Sequence, residues 1–190
     1  MEEQNPIKKP ASKRISQSSH TEELVDHYWG TINYLTDLIK ASELKAGLIL
    51  SFYGILLNFI YQGTENFSGQ LTNDTYLYIL IGAWICCTTA SIFFCIRCFI
   101  PKIEGKFSKN MFFFKDIISK FGDVKEFSTT FLTMSKDEDA LFMQLGEQIF
   151  IISKISAWKF KNVKRAISLL ALGLIILFII GLYHVIFILT

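Results

Sequence analysis

The sequence from Ala166 to Leu189, AISLLALGLIILFIIGLYHVIFIL, decides the fold class of this chain. It contains no Asp, Glu, Lys or Arg, and it is longer than the ~20 helical residues that cross a bilayer core of about 30 Å. Two further apolar segments, residues 46–61 and 76–100, approach or exceed the same length. The sequence therefore predicts an all-α membrane protein with three transmembrane helices.

The composition of the whole chain supports this prediction. Of its 190 residues, 51% are hydrophobic and 19% are charged, and the mean hydropathy is +0.37. A soluble domain has roughly 45–50% apolar and about 25% charged residues. No polar segment reaches the ~100 residues of a typical independent domain, and the sequence carries no phosphate-binding glycine loop, metal-ligand spacing or catalytic triad. We therefore expect neither enzyme activity nor a cofactor or metal.

The positive charges predict the orientation of the chain. None of the 19 Lys and Arg residues lies in the loop 62–75 or after Arg165. Because cytoplasmic segments are enriched in basic residues, the N-terminal segment and residues 101–165 are expected in the cytoplasm, with the 62–75 loop and Thr190 outside. No apolar run precedes residue 44, so we expect no cleavable signal peptide.

Helical periodicity continues outside the spans. Ser19 and Glu22 have the spacing of a capping box, and apolar residues follow at steps of three and four. Ser135 and Glu138 have the same spacing, and no proline occurs between them and the end of the third span. Two long helices are therefore predicted to extend from the membrane into a small cytoplasmic helical bundle.

Two shorter helices are predicted between these long ones. The first opens within residues 110–118 and is broken at Gly122, and the second covers Val124–Met134. The predicted organisation is a disordered tail (1–20), a cytoplasmic helix (21–45), a first span (46–61), an outside loop (62–75), a second span (76–100), a cytoplasmic helical sensor region (101–165) and a third span (166–189).

Four cysteines, Cys86, Cys87, Cys95 and Cys98, lie in the second span. A helical C-x-x-C supplies two ligands where a structural zinc site requires four. We therefore predict buried, apolar cysteines without a redox or metal role.

Small and polar residues form a stripe on the first span. Gly47, Ser51, Gly54 and Asn58 follow one another at steps of four, three and four, which places them on one helix face. Such stripes allow close helix packing, and an Asn side chain can bond across an interface. Both packing within the chain and a seam between subunits of a homo-oligomer are consistent with this pattern.

Basic and aromatic residues occur together in the cytoplasmic segments. Cations bind phosphate and aromatic rings stack on bases, so this combination suits an anionic nucleotide. Basic residues next to a membrane also follow from topology alone, which is the alternative explanation. The candidate ligand-binding residues are Lys45, Phe112, Phe113, Phe114, Lys115, Trp158, Lys159 and Lys161.

Several segments resemble the Pycsar transmembrane effectors. The sequence Glu43-Leu-Lys45-Ala46-Gly47 resembles the family's "Asp or Glu, any residue, Lys-Ala-Gly" pattern before the first span, with Glu43 where aspartate is common. The resemblance covers about residues 21–188. Its other segments are 110–116, 137–139, 148–154 and 159–166.

The resemblance implies an effector of a bacterial antiphage system. In that family a partner cyclase makes cyclic CMP or cyclic UMP on infection, and the effector impairs the inner membrane, which ends growth of the infected cell (abortive infection). The implied partners are a cyclic pyrimidine nucleotide, membrane lipid, further copies of the chain and a functionally paired nucleotide cyclase, with no nucleic acid. The alternative is a constitutive small membrane scaffold or toxin whose cytoplasmic bundle binds a protein partner.

Overall fold

A computed structural model of the protein describes residues 11–67, 75–100 and 109–189. Within these ranges the chain forms five helices and no strand, which confirms the all-α class. Three of the helices contain windows long and apolar enough to cross a membrane. The helices are α1 (Ala11–Phe67), α2 (Thr75–Phe99), α3 (Phe114–Lys120), α4 (Val124–Ser135) and α5 (Glu138–Leu189).

The described residues fall into two compact units. Residues 11–36 and 109–153 form one, here called the polar unit, and residues 37–67, 75–100 and 154–189 form the other, here called the membrane unit. Helices α3 and α4 belong to the polar unit and α2 to the membrane unit. Helices α1 and α5 each supply residues to both units without interruption.

Helix α1 is longer than the sequence predicts at both ends. It begins at Ala11, within the predicted disordered tail. Because residues 11–20 contain no proline or glycine, nothing in their sequence stops the helix, and Ser19 lies inside it instead of capping it. Its other end, Phe67, lies within the predicted loop 62–75. Residues 1–10 of the predicted tail and 68–74 of the predicted loop lie outside the described residues.

The core of the membrane unit is formed by three helices. Small side chains, among them Ala46 and Ala166, are fully buried at the contacts between them, and small side chains let membrane helices approach closely. The Ser91 hydroxyl on α2 donates a hydrogen bond to the Ala166 carbonyl on α5, at 2.9 Å. The buried residues of this core are Ala46, Ile49 and Tyr53 from α1, Cys95 and Cys98 from α2, and Val163 and Ala166 from α5.

The four cysteines of α2 differ in burial. Cys95 and Cys98 are buried, as predicted, but Cys87 is only half-buried and Cys86 is exposed; all four are free thiols. The prediction that all four are buried was therefore wrong for Cys86. The buried residues of α2 recur at steps of three or four from Trp84, so Cys86, two residues later, lies on another side of the helix.

Two helices, α4 and α5, begin with aspartate caps in the polar unit. The Asp123 side chain accepts a hydrogen bond from the Glu126 N–H at 2.7 Å and starts α4. Asp137 accepts from the Ala140 N–H at 3.2 Å at the start of α5. The predicted Ser135 cap was wrong, because the Ser135 hydroxyl donates to a carbonyl within α4 and an aspartate lies closer to the first turn of α5.

Candidate functional site

An ion pair with a buried lysine joins all three helices of the membrane unit. Lys159 on α5 is buried, and its Nζ lies 2.6 Å from Glu43 Oε1 on α1 and 2.8 Å from the Cys98 carbonyl oxygen on α2. The Lys159 side chain is 3% exposed and that of Glu43 is 40% exposed. A buried ammonium group requires such partners. Lys159 was predicted as a ligand contact, and the structure places it in contact with this chain's own acid.

The Glu43-Leu-Lys45-Ala46-Gly47 segment lies beside residues of α2 and α5 that adjoin Cys98 and Lys159 in the sequence. Lys45 Nζ lies 5.7 Å from the centroid of the Phe160 ring, and Ala46 is fully buried. A Cβ at Gly47 would lie 3.9 Å from a ring carbon of Phe99. Leu44, which occupies the unrestricted position of the pattern, is 66% exposed.

The other two candidates on α5 differ in their surroundings. Trp158 is half-buried, and the guanidinium carbon of Arg97 lies 5.6 Å from the centroid of its ring. Lys161 is exposed. Because Arg97 already occupies one face of the Trp158 ring, that face is not available for stacking on a base.

Aromatic rings form a connected cluster in the polar unit. The Phe112 ring lies edge-on to Trp29 of α1, with centroids 5.9 Å apart, and its centroid is 6.0 Å from that of Phe131 of α4. Trp29 is 42% exposed and Phe131 is 37% exposed, so both present ring surface to the outside. We call the set the aromatic cluster; its members are Trp29, Phe112, Phe121, Phe127 and Phe131.

Sequence reasoning identified only one member of the aromatic cluster, Phe112. Phe113 is buried, whereas Phe114 and Lys115 are exposed, so the three consecutive phenylalanines point in different directions. Trp29 belonged to the predicted apolar face of a long helix. Its partial exposure is a property of the fold, so no signal in the sequence distinguished it from the other apolar residues of that face.

A lysine lies against the same cluster. Lys109 Nζ is 3.9 Å from the centroid of the Phe121 ring and 3.7 Å from Glu126 Oε1. This ion pair is partly exposed, with side chains 41% and 55% accessible, so it contributes little to holding the lysine in place. The cluster therefore combines aromatic surface with a nearby positive charge.

Asn110 fixes the position of Phe112. It is fully buried, and its Nδ2 donates to the Gln144 carbonyl of α5 at 2.9 Å. Its Oδ1 accepts from the Phe112 N–H at 2.9 Å, and its own N–H donates to Asp116 Oδ2 at 3.0 Å. These bonds hold a turn where the sequence predicts the opening of a helix, because an Asn side chain can replace helical bonds with bonds to nearby backbone. Helix α3 consequently begins at Phe114.

The stripe on the first span faces mainly away from the rest of the single chain. Ser51, Gly54 and Asn58 are exposed, and the buried face of α1 passes through Ile49 and Tyr53. Gly47 is half-buried near Phe99. The first span thus has one face for its own chain and a separate face of small and polar residues.

The described side chains include no group of three His, Cys, Asp or Glu residues placed to hold a metal ion. The candidate functional features are the aromatic and basic residues of the polar unit and, described separately, the ion pair and the small-residue face of the membrane unit.

Comparison with known proteins assigns the chain to a family. The model of the Pycsar effector protein domain matches residues 27–186. The chain is 24% identical over 158 residues to the Pycsar effector protein PtPycTM of Propioniciclava tarda, an alignment that covers 80% of this chain and 76% of the relative. No solved structure matches the chain significantly. With three membrane-length helices and a family match over most of its length, the chain belongs to the Pycsar effector proteins, a family of antiphage membrane effectors.

Proposed function

We propose that the protein senses cyclic CMP or cyclic UMP through its polar unit and responds by impairing the bacterial inner membrane, without catalysing a reaction. The observation that carries the proposal is the continuity of α1 and α5, each of which supplies residues to both units. A ligand that changes the packing of these helices in the polar unit acts on the same helices that form the membrane unit. The paired cyclase of such a system would supply the nucleotide on infection.

The aromatic cluster is the proposed surface for the pyrimidine base. Stacking on an aromatic side chain contributes about 1–3 kcal/mol per base, and Trp29 and Phe131 are the partly exposed rings. Lys109 beside the cluster and the exposed Lys115 supply positive charge for the cyclic phosphate. The base is assigned here in preference to Trp158, whose ring already carries Arg97.

The proposed response begins with the contact between α1 and α5 in the polar unit. Tyr28 of α1 packs against Phe142 of α5, with ring centroids 5.4 Å apart, and lies close to Gly146. A nucleotide bound on the adjacent Trp29 would favour one packing of this helix pair over another, and a ligand shifts such an equilibrium by its difference in affinity for the two states. In the membrane unit the same helices are joined by Glu43 and Lys159.

Membrane damage by this protein requires several copies, because three spans cannot enclose a wide pore. The exposed face at Ser51, Gly54 and Asn58 is the proposed seam of a homo-oligomer. Small residues permit close approach between helices, and an Asn side chain in lipid is stabilised by a partner on a neighbouring helix. The opposite, buried face of α1 remains with its own chain.

The proposed orientation places the N-terminus in the cytoplasm of a bacterial cell and the C-terminus outside. The absence of Lys and Arg from residues 62–75 and 166–190 supports it. Alkaline phosphatase fused after Thr190 should be active, because this enzyme requires an oxidising compartment. The same enzyme fused to the N-terminus should be inactive, and the reverse pattern would contradict the orientation.

Calorimetric titration of the detergent-solubilised full chain tests ligand binding. Cyclic CMP or cyclic UMP should bind, and Trp29→Leu should weaken binding about tenfold or more, as the loss of one stacking contact predicts. Tyr34→Leu is the matched control, because Tyr34 is an exposed ring on the same helix and is 64% accessible. Absence of binding of either nucleotide, or equal weakening by both substitutions, would contradict the proposed site.

Dye release from vesicles tests the response separately. Full-length protein reconstituted into vesicles should release an enclosed dye when the bound nucleotide is added and retain it otherwise. Nucleotide binding without dye release would support the proposed sensing role and contradict the proposed membrane damage.

A further inference from the structure

A groove between α1 and α5 in the membrane unit contains two lysines and an apolar floor. Its volume is about 180 Å³. Lys45 precedes the predicted start of the first span at residue 46, and Lys164 precedes that of the third span at residue 166, whereas Ile167 follows it. The groove therefore lies across the predicted border of the membrane. The lining residues are Lys45, Phe160, Val163, Lys164, Ile167 and Ser168.

The two lysines of the groove differ from Lys159 of the same unit. Lys45 and Lys164 are exposed, and neither takes part in an ion pair found among the described side chains. Lys159 is neutralised by Glu43 at 2.6 Å. Among the side chains that the structure describes, no acid therefore balances these two positive charges.

The walls of the groove are apolar next to these charges. Val163 and Ile167 lie one turn apart on α5, and the Lys45 ammonium lies over the Phe160 ring. The Ser168 hydroxyl is directed to the Lys164 carbonyl at 3.0 Å. The ligand that fits such a surface has an anionic group at one end and a hydrocarbon part at the other.

We propose that this groove binds an anionic phospholipid, with its phosphate at Lys45 and Lys164 and the start of an acyl chain against Val163 and Ile167. Basic pockets between membrane helices on the cytoplasmic side bind anionic headgroups. Long lysine side chains near helix ends reach the headgroup level. The groove is smaller than the ~300–1,000 Å³ of typical small-molecule pockets, so it suits part of a lipid that remains in the bilayer better than an enclosed nucleotide.

This site is separate from the proposed nucleotide surface, which consists of residues of the polar unit. A lipid in the groove contacts both α1 and α5. Two of the lining residues, Lys45 and Phe160, are close in the sequence to Glu43 and Lys159, which form the ion pair. The packing of these two helices then depends on the anionic lipid content of the membrane as well as on the nucleotide.

Native mass spectrometry of the detergent-solubilised full chain tests the proposal. The probes are phosphatidylglycerol, zwitterionic phosphatidylcholine and inorganic phosphate. Wild-type protein should retain phosphatidylglycerol in preference to phosphatidylcholine. Lys45→Gln with Lys164→Gln should weaken retention about thirtyfold, because each basic residue near an anionic lipid surface changes affinity about fivefold. An excess of inorganic phosphate should not displace the lipid.

The matched control is Lys40→Gln with Lys161→Gln. It removes the same charge from exposed positions on the same two helices, outside the groove, and should retain phosphatidylglycerol as wild type does. Ile167→Trp fills the groove while keeping both lysines and should also lose the lipid, with helicity unchanged by circular dichroism. Equal retention of the two lipids, equal effects of the two double substitutions, lipid retention by Ile167→Trp, or displacement by inorganic phosphate would each overturn the proposal.

Discussion

The interactions that stabilise the membrane unit internally differ from those that stabilise the polar unit internally. In the membrane unit, three helices meet through an apolar core, the Ser91 hydroxyl and the ion pair of Glu43 and Lys159. In the polar unit, an amide network around Asn110 and a series of aromatic rings connect the helices. Lipid is as apolar as the helix faces, so apolar burial alone does not drive membrane helices together. The comparison teaches that polar contacts specify which helices pair in the membrane unit. In the polar unit, burial of apolar surface already favours packing of the aromatic rings, and the polar contacts fix their orientation.

The largest expected effect comes from removing the acidic partner of the buried Lys159. Glu43→Ala leaves the Lys159 ammonium with the Cys98 carbonyl and no carboxylate partner. Removing one partner of a buried pair costs about 3–5 kcal/mol, and the 40% exposure of Glu43 places the effect at the lower end. Thermal unfolding in detergent, followed by circular dichroism, measures this loss.

Two variants sharpen this measurement. Asp37→Ala breaks the exposed pair with Lys40, whose side chains are 71% and 70% accessible, and should cost less than about 1 kcal/mol. Glu43→Met combined with Lys159→Met should recover most of the stability, because an apolar pair can replace a buried ion pair. A double variant as unstable as Glu43→Ala would contradict the assigned role.

A smaller effect is expected in the polar unit from Asn110→Ala. This substitution removes the bonds to the Gln144 carbonyl and from the Phe112 N–H, and leaving buried backbone groups unsatisfied costs about 1–3 kcal/mol. Because Phe112 contacts Trp29, the tryptophan fluorescence should change as well. Asn33→Ala, at an exposed position of α1, should change neither stability nor fluorescence; equal results for the two variants would refute the role of Asn110.

The smallest expected effect concerns the hydrogen bond between α2 and α5. Ser91→Ala removes the donor to the Ala166 carbonyl, and hydrogen bonds between membrane helices contribute about 0.6 kcal/mol on average. Thr89→Ala, at an exposed position of the same helix, is the control in the same unfolding assay. If Ser91→Ala proved as costly as Glu43→Ala, the ion pair would no longer be the main polar contact of the membrane unit.

The sequence was sufficient for features that depend on neighbouring residues. The absence of proline after Ser135 predicted one helix through the third span, which α5 confirms from Glu138 to Leu189. Gly122 marked the break between α3 and α4. Both features follow from local backbone preferences, which the sequence displays directly.

Features that depend on distant partners were not predictable in the same way. Lys159 resembled a free cation of the membrane border because its partner Glu43 lies 116 positions away. Trp29 resembled one more apolar residue of a helix because Phe112 and Phe131, which complete its surroundings, belong to other segments. Charge and ring type are visible in a sequence, but neutralisation and exposure are properties of the folded chain.

The distance along the chain between Glu43 and Lys159 also orders the biogenesis of the protein. A ribosome adds about 5–20 residues per second, so the 116 positions between the two residues correspond to roughly 6–23 s of translation. During that interval Glu43 precedes an inserted first span without its counter-ion. The membrane unit can close only after Lys159 has been synthesised and the third span that follows it has entered the bilayer. A nascent chain that ends before Lys159 therefore lacks the contact that joins the three helices.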